Sequence, residues 1–344
     1  CAGVVGTLVP MGGGSSSRYG DGVTLIRDAE RHDLGEILRL HRLARDAIGG
    51  LDPRLAAGSH DSDRLGRGLR SMLGARPRGV LVAEDRAGAG LSGYAMGTMA
   101  ENEPFSIPRY GYLLCLYVGE EHRDRRMGDA LLEAVQASFK DEGLEAAHVD
   151  VSSRVLAARS FWQKRGFQRF LDYLWRSADS AVCAGEDPGF VVRPARSGDR
   201  GAVVMLWKEM MDIHAAIDSR LSIAPGWRAQ VERSVRRWLG DRDSHLIVAE
   251  VADLVIGFAL GGLAESTMGL TPGSHGHIAH MCVSAQWRRR GVGRQLFASL
   301  RDWFVRRGVP SIHLYVSCLN PVSQRFWREL GFEDYISRLW CDLV

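Results

Sequence analysis

The chain has 344 residues, 45% hydrophobic and 25% charged, a globular composition that excludes a disordered, collagenous or fibrous protein. Its 44 basic and 41 acidic residues leave a net charge of only +3, which gives no electrostatic case for a nucleic-acid partner. No apolar run reaches the roughly 20 residues of a spanning helix, so no membrane partner is expected either.

Residues 1–21 include Gly12, Gly13, Gly14, Ser15, Ser16 and Ser17 and show no charged-then-apolar leader pattern, which predicts a flexible segment. Beyond it the chain repeats itself. A shift of 165 residues carries Val118, Arg123, Arg125, Gly128 and Leu131 onto Val283, Arg288, Arg290, Gly293 and Leu296 without a gap. It also carries Phe161, Trp162, Gly166 and Phe167 onto Phe326, Trp327, Gly331 and Phe332. So long a period points to a duplicated domain, not a solenoid. The expected boundaries are 22–178 for the first domain, 179–189 for a linker and 190–344 for the second domain.

In the second copy, a short strand at Phe190–Pro194 precedes a helix from Asp199 to Ile213, with Val203, Leu206, Trp207 and Met210 on one face. Strands are expected at Leu246–Val251, Val255–Leu263 and His277–Val283. A helix over Gly293–Arg307 is stopped by Gly308, and a fifth strand covers Ile312–Val316. A helix over Pro321–Leu330, closed by Gly331, leads to a final strand pair. The class is α/β, with a mixed twisted sheet flanked by helices.

The six cysteines form no C-x-x-C pair and no zinc-ligand spacing, so no metal is expected. Scattered thiols in a chain of this size suit a reducing, cytoplasmic setting.

The stretch that carries chemistry runs from Val283 to Gly293, between a strand and a helix. Gly291 and Gly293 let backbone N–H groups approach a ligand closely. They open a helix whose N-terminus attracts anions. Arg288, Arg289 and Arg290 add positive charge, and the whole makes a pyrophosphate cradle. A Gly-x-Gly by itself marks a plain turn about as often, and a basic run is often a solvated surface.

With Asn320 and the run Phe326-Trp327…Gly331-Phe332 after the next strand, the motif order resembles the GNAT superfamily of acyl-CoA-dependent N-acyltransferases, twice over. The resemblance implies two tandem GNAT-type domains whose fourth and fifth strands splay apart. It implies acetyl-CoA as the cofactor, its pyrophosphate on the backbone of Arg288, Arg289, Arg290, Gly291, Val292 and Gly293. The pantetheine arm would pair with backbone near Met281 and Val283, beside Asn320 and Phe326. The amine would attack the thioester directly, with an N–H near Met281 or Cys282 receiving the oxyanion.

His277 stands where the family often puts its general base, a Glu or a His, and an ordinary histidine pKa of ~6.5 suits that role. A histidine in a sheet is also often merely packed. On a regular strand His280 points the other way, unless a bulge typical of this family's strand intervenes. The family's usual acid, a tyrosine, is Trp327 here and Trp162 in the first copy. Tyr315, Ser317 and Cys318 are the neighbouring substitutes. In the first copy Arg126 replaces Gly291 and Val155 replaces Asn320, the mark of a degenerate domain that supports the second.

The family takes its acceptor beside the first helices and the third and fourth strands. Glu209, Asp212 and Glu265, with His214 and Asp218, lie in those segments, and carboxylates there could hold a cationic amine. Most surface carboxylates do nothing of the kind. The expected function is acetylation of the primary amine of a small molecule, an antibiotic or secondary-metabolite precursor or a resistance substrate, by a monomer or homodimer. The alternatives are a mycothiol-synthase-like or protein/peptide N-acetyltransferase, and a non-catalytic acyl-CoA-binding sensor or scaffold.

Overall fold

The computed structural model describes residues 25–56, 61–74, 79–84, 90–101, 104–122, 126–181, 189–265 and 274–343. The segment expected at 1–21, most of the linker expected at 179–189, and Arg123 and Arg125 of the repeat lie outside the described residues.

Each half of the chain lays down the same series of elements. The first has β1 (Leu25–Asp28), α1 (Leu34–Leu51), α2 (Asp61–Met72), β2 (Val80–Glu84), β3 (Leu91–Glu101), β4 (Arg109–Val118), α3 (Met127–Asp141), β5 (Ala146–Ser152), α4 (Leu156–Gln163) and β6 (Gln168–Ser177). The second has β7 (Val191–Pro194), α5 (Arg200–Ile217), α6 (Trp227–Gly240), β8 (Ser244–Val251), β9 (Leu254–Glu265), β10 (Ser274–Val283), α7 (Val292–Arg306), β11 (Ser311–Ser317), α8 (Pro321–Glu329) and β12 (Glu333–Asp342). Helix α6 had no counterpart in the sequence pattern. Only Val231 and Val235 are fully buried along it, so its apolar stripe is too thin to read.

All twelve strands join one sheet, in the order β1-β2-β3-β4-β5-β12-β6-β11-β10-β9-β8-β7. The expected final strand pair is therefore a single strand, β12, and it leaves its own half. It lies antiparallel to β5 of the first half, while β6 of the first half lies antiparallel to β11 of the second. At this seam Arg338 donates to both oxygens of Asp150 at 2.8 Å and to the Tyr315 hydroxyl at 2.8 Å. The Tyr112 hydroxyl also donates to Asp150, at 2.7 Å.

Helices α3 and α4 cover one face of the first half, and α7 and α8 the same face of the second. The opposite face carries one core that runs under α1, α2, α5 and α6 across both halves. The duplication extends to its ion pairs. Arg27 grips Asp33 and Glu84, and Arg193 grips Asp199 and Glu250. Asp52 holds Arg54 as Asp218 holds Arg220. Asp218, one of the acidic residues expected near the acceptor, is thus buried in a structural pair.

Two irregularities open the sheet. The β9–β10 ladder shifts register between Ile278 and His280, and the β3–β4 ladder between Met96 and Gly97. The parallel pairing of β10 with β11 ends at Ile278 opposite Leu314, and that of β4 with β5 at Leu113 opposite Val149. Past these points the strands diverge, as the resemblance implied.

Candidate functional site

The bulge at Ala279 decides which side chains face the gap between β10 and β11. One extra residue resets the alternation of a strand. Met281 and Val283 pack on the side of α7 and α8, and Cys282 packs on the side of α5. His280 thereby joins His277 on the α5 side instead of opposing it. Its ring lies 6.3 Å from that of Trp207 on α5 and 5.4 Å from that of Trp238 on α6.

The loop after β10 leads into the N-terminus of α7, the end of a helix that attracts anions. Arg289 (φ 64°) and Gly291 (φ 82°) take the left-handed conformation, and Gly291 caps α7. Strain of that kind in a non-glycine residue usually serves a site. The first N–H groups of α7 have no partner within the helix and point out of its end. A Cβ on Gly293 would lie 3.1 Å from the Phe326 ring, so this turn sits tight against α8. Val292 is buried in the core beneath α7, leaving only its backbone for a ligand. Arg290 lies over the Trp287 ring.

Arg288 is held in place from two sides. Its Nε donates to the Val283 carbonyl at 3.0 Å, and a terminal nitrogen donates to Glu209 at 2.6 Å. Glu209 also accepts the Ala285 N–H at 3.1 Å. Glu209, expected to hold the acceptor, instead braces the arginine loop from α5. Asp212 pairs with Lys208 on the exposed side of the same helix, and Glu265 ends β9 exposed to solvent. These three carboxylates are not brought together.

A cavity of about 740 Å³ lies between this loop, the end of β10, α5 and α8. Met281, Cys282, Val283, Arg288, Arg289, Asn320 and Phe326 all line it. The Asn320 side-chain oxygen accepts the Ser323 N–H at 3.0 Å and so caps α8, a structural duty its expected role did not include. Sequence reasoning gave no role to Ser323 and only a passing one to His214, yet both line this cavity.

A second cavity of about 180 Å³ continues through the gap between β10 and β11. It shares Met210, His214, Met281, Ser323 and Trp327 with the first, and adds His280, Tyr315 and Ser317. A third, of about 330 Å³, opens beyond His280 between α5 and α6. Pro104 and Phe105, from the β3–β4 connection of the first half, also line it. Two backbone hydrogen bonds fix that connection, from Ser106 N–H to Ser222 and from Ala224 N–H to Pro104, both at 2.8 Å. Phe105 and His280 line both the second and the third cavity, so the three lie next to one another in a row.

His277 lines none of them. It sits opposite His313 where β10 and β11 are still paired, with the rings of Tyr173 and Tyr315 about 6 Å away. Burial, then the neighbouring His275, His280 and Arg338, lowers its pKa to about 3. Burial, then His214, lowers that of His280 to about 4. Both rings are neutral at physiological pH. Burial pushes the Cys282 thiol up to about 12, which excludes a resting thiolate there. Trp327 packs edge-on against Phe297, Phe326 and Phe332 as a core residue.

The matching positions of the first half carry other groups. Cys115 stands at the place of His280, and the Tyr94 hydroxyl lies 3.1 Å from its sulfur and 2.7 Å from His41 Nδ1. Tyr112, at the place of His277, is committed to Asp150. Arg126 takes the left-handed turn that Gly291 takes in the second half, at φ 55°.

Among the described residues no group of three or more His, Cys, Asp or Glu could hold a metal ion. Among them, too, no helix is long and apolar enough to cross a membrane.

The sequence model of the acetyltransferase (GNAT) family matches residues 51–167 and again 207–332. A mycothiol acetyltransferase of Thermobifida fusca (strain YX) is 26% identical over 295 residues, which span 77% of this chain and 83% of that protein. Among solved structures, a GCN5-related N-acetyltransferase from Sphaerobacter thermophilus superposes with a TM-score of 0.63 at 17% identity, over 93% of this chain and 96% of the other. A tandem GNAT protein from the clavulanic acid biosynthesis pathway superposes with a TM-score of 0.54 at 14% identity, over 94% and 99%. At such identities the two structures attest to the fold.

Proposed function

Since the chain belongs to the acetyltransferase (GNAT) family, we propose that its second half moves the acetyl group of acetyl-CoA onto the primary amine of a small molecule. One observation carries this reading. The cavity at the arginine loop adjoins a second in the gap between β10 and β11, and that one shares His280 with a third between α5 and α6. Reactants held in the first and third cavities would therefore meet at the bulge.

The residues present suit acetyl-CoA. The α7 N-terminus, with Arg288 and Arg289 beside it, matches a pyrophosphate, and Gly293 leaves room only for close backbone approach. Bound there, acetyl-CoA would supply an activated thioester. Arg288, fixed by Glu209, orients the phosphate end. Asn320 and Phe326 line the arm's route. The backbone N–H groups of Met281 and Cys282 are the candidate donors to the carbonyl oxygen. His280 takes the base role first assigned to His277, because it stands at the meeting point and His277 does not. Burial keeps His280 neutral at physiological pH but makes it a weak base, with a pKa of about 4, so it can take the proton of an amine made acidic by attack on the thioester carbonyl, not that of a free ammonium. No tyrosine stands at Trp327, so proton return to the leaving thiolate falls to water or to Ser323 or Tyr315, which line the second cavity.

The test is calorimetric titration of acetyl-CoA into wild type and Gly293→Glu, followed by free-thiol release against an amine panel. A single site lost in the variant, with thiol released for some amine, supports the proposal. Binding without release across the panel refutes turnover and leaves an acyl-CoA sensor. A second reading, acetylation in mycothiol formation, is favoured by the Thermobifida relative. Including a cysteinyl amine in the panel decides it.

A further inference from the structure

The third cavity does not have the charge expected of a site for a cationic amine. Among the described residues no carboxylate lines it. Its polar wall comes from one face of α6, where Gln230, Arg233, Ser234 and Arg237 follow one another at helical spacing. Arg233 has no acidic partner among the described residues. Arg237 makes a 3.5 Å contact with the Ser234 hydroxyl. The apolar lining is aromatic, Trp207, Trp238 and Phe105, and His280 stands where this cavity adjoins the second. At about 330 Å³ the space lies near the lower end of the ~300–1,000 Å³ range of small-molecule pockets.

Resting on the acetyl-transfer reading above, we infer that this cavity is the acceptor site and that its acceptor is a small flat amine bearing a carboxylate or phosphate. Two arginines one helical turn apart present planar forks, the geometry that grips an oxyanion through paired hydrogen bonds. The aromatic lining suits an apolar or planar frame. The amine is left next to His280, where this cavity adjoins the second. Positive charge near an amine also disfavours its protonated form, so the groups that hold the anion help supply the neutral nucleophile. A singly cationic amine would meet only repulsion here. The first half shares in this selectivity, because Phe105 lines the cavity from across the seam.

The experiment uses three probes that share one amine and one ring: 4-(aminomethyl)benzoate, 4-(aminomethyl)phenyl phosphate and benzylamine. Each is titrated calorimetrically into the full chain saturated with CoA. The variants are Arg233→Gln, Arg237→Gln and the double change, with Arg236→Gln, which does not line the cavity, as the charge control. Both anionic probes should bind more tightly than benzylamine, and the tighter of the two tells carboxylate from phosphate. The double variant should lose roughly tenfold or more in affinity for them. The control should lose nothing, and acetyl-CoA affinity should hold in all variants. Where turnover is seen, KM for the anionic amine should rise at nearly constant kcat. Equal binding of benzylamine, or anion affinity indifferent to the arginine changes, overturns the inference. Arginine-dependent anion binding without thiol release would sink acetyl transfer and keep the site. Turnover of amines indifferent to Arg233 and Arg237 would do the reverse.

Discussion

Replacing Asp150 with alanine should be among the most damaging single changes in this chain. Asp150 is fully buried and Arg338 is 6% exposed. The substitution takes both carboxylate bonds from Arg338 and the acceptor from the Tyr112 hydroxyl. Breaking a buried ion pair from one side costs about 3–5 kcal/mol, and an orphaned buried hydroxyl about 1–3 more. A total of about 4 kcal/mol or more is a large share of the ~5–15 kcal/mol that holds an ordinary protein together. Removing both charges, Asp150→Leu with Arg338→Met, leaves no unpaired ion and should recover the ion-pair part of that loss, while the Tyr112 and Tyr315 hydroxyls stay without these partners. Urea unfolding, followed together by tryptophan fluorescence and far-ultraviolet circular dichroism, measures both variants. Because the pair joins β5 to β12, hydrogen exchange in Asp150→Ala should accelerate in both strands together. A loss under ~1 kcal/mol, or a double variant no better than the single, would refute the reasoning.

Gly293→Ala should weaken acetyl-CoA binding by roughly tenfold, since its Cβ would meet Phe326 at 3.1 Å, whereas Gly128→Ala meets Phe161 at an ordinary 3.5 Å and should change nothing; equal effects in calorimetry would break the contrast between the halves. His280→Gln should lower kcat by ~10²-fold or more at unchanged acetyl-CoA affinity, and His277→Gln far less; the opposite ranking in steady-state kinetics returns the base to His277. Stability should also depend on acid. Burial lowers the folded-state pKa of His41 and His277 to about 3 and of His275 and His280 to about 4. Between those values and ~6.5 the unfolded chain binds more protons, so their stabilisation is complete above ~6.5 and is lost as pH falls toward 4, by up to ~1.4 kcal/mol per pH unit for each histidine. Urea midpoints at pH 7.5, 6.5 and 5.5 check this, and a flat profile contradicts it.

What the sequence revealed was local. Gly291, Pro321 and Gly331 mark helix ends wherever they occur, and a repeat is visible without any fold. What it concealed depends on partners far along the chain. A one-residue bulge at Ala279 carries no compositional mark, yet it moves His280 to the α5 side, beside His277. Glu209 reads as a free carboxylate until Arg288, 79 positions away, is brought beside it. Strands β6 and β12 are copies of one another, so nothing in either says which half it will complete. The acceptor cavity takes Phe105 from one copy and α6 from the other, and no motif within a single copy could announce it.

The crossed strands also set a schedule for synthesis. On a ribosome β5 emerges with one flank open, and its neighbour β12 follows only after the whole of β7 to α8 has been made. At about 5–20 residues per second, the interval from Ser152 to Glu333 lasts roughly ten to forty seconds. Throughout it the middle of the future sheet is an unprotected edge, the kind of surface on which nascent chains stick to one another. β6 waits in the same way for β11. Strand β12 is the stitch that closes the fabric, and a ribosome that stops short of it leaves the tear at its centre.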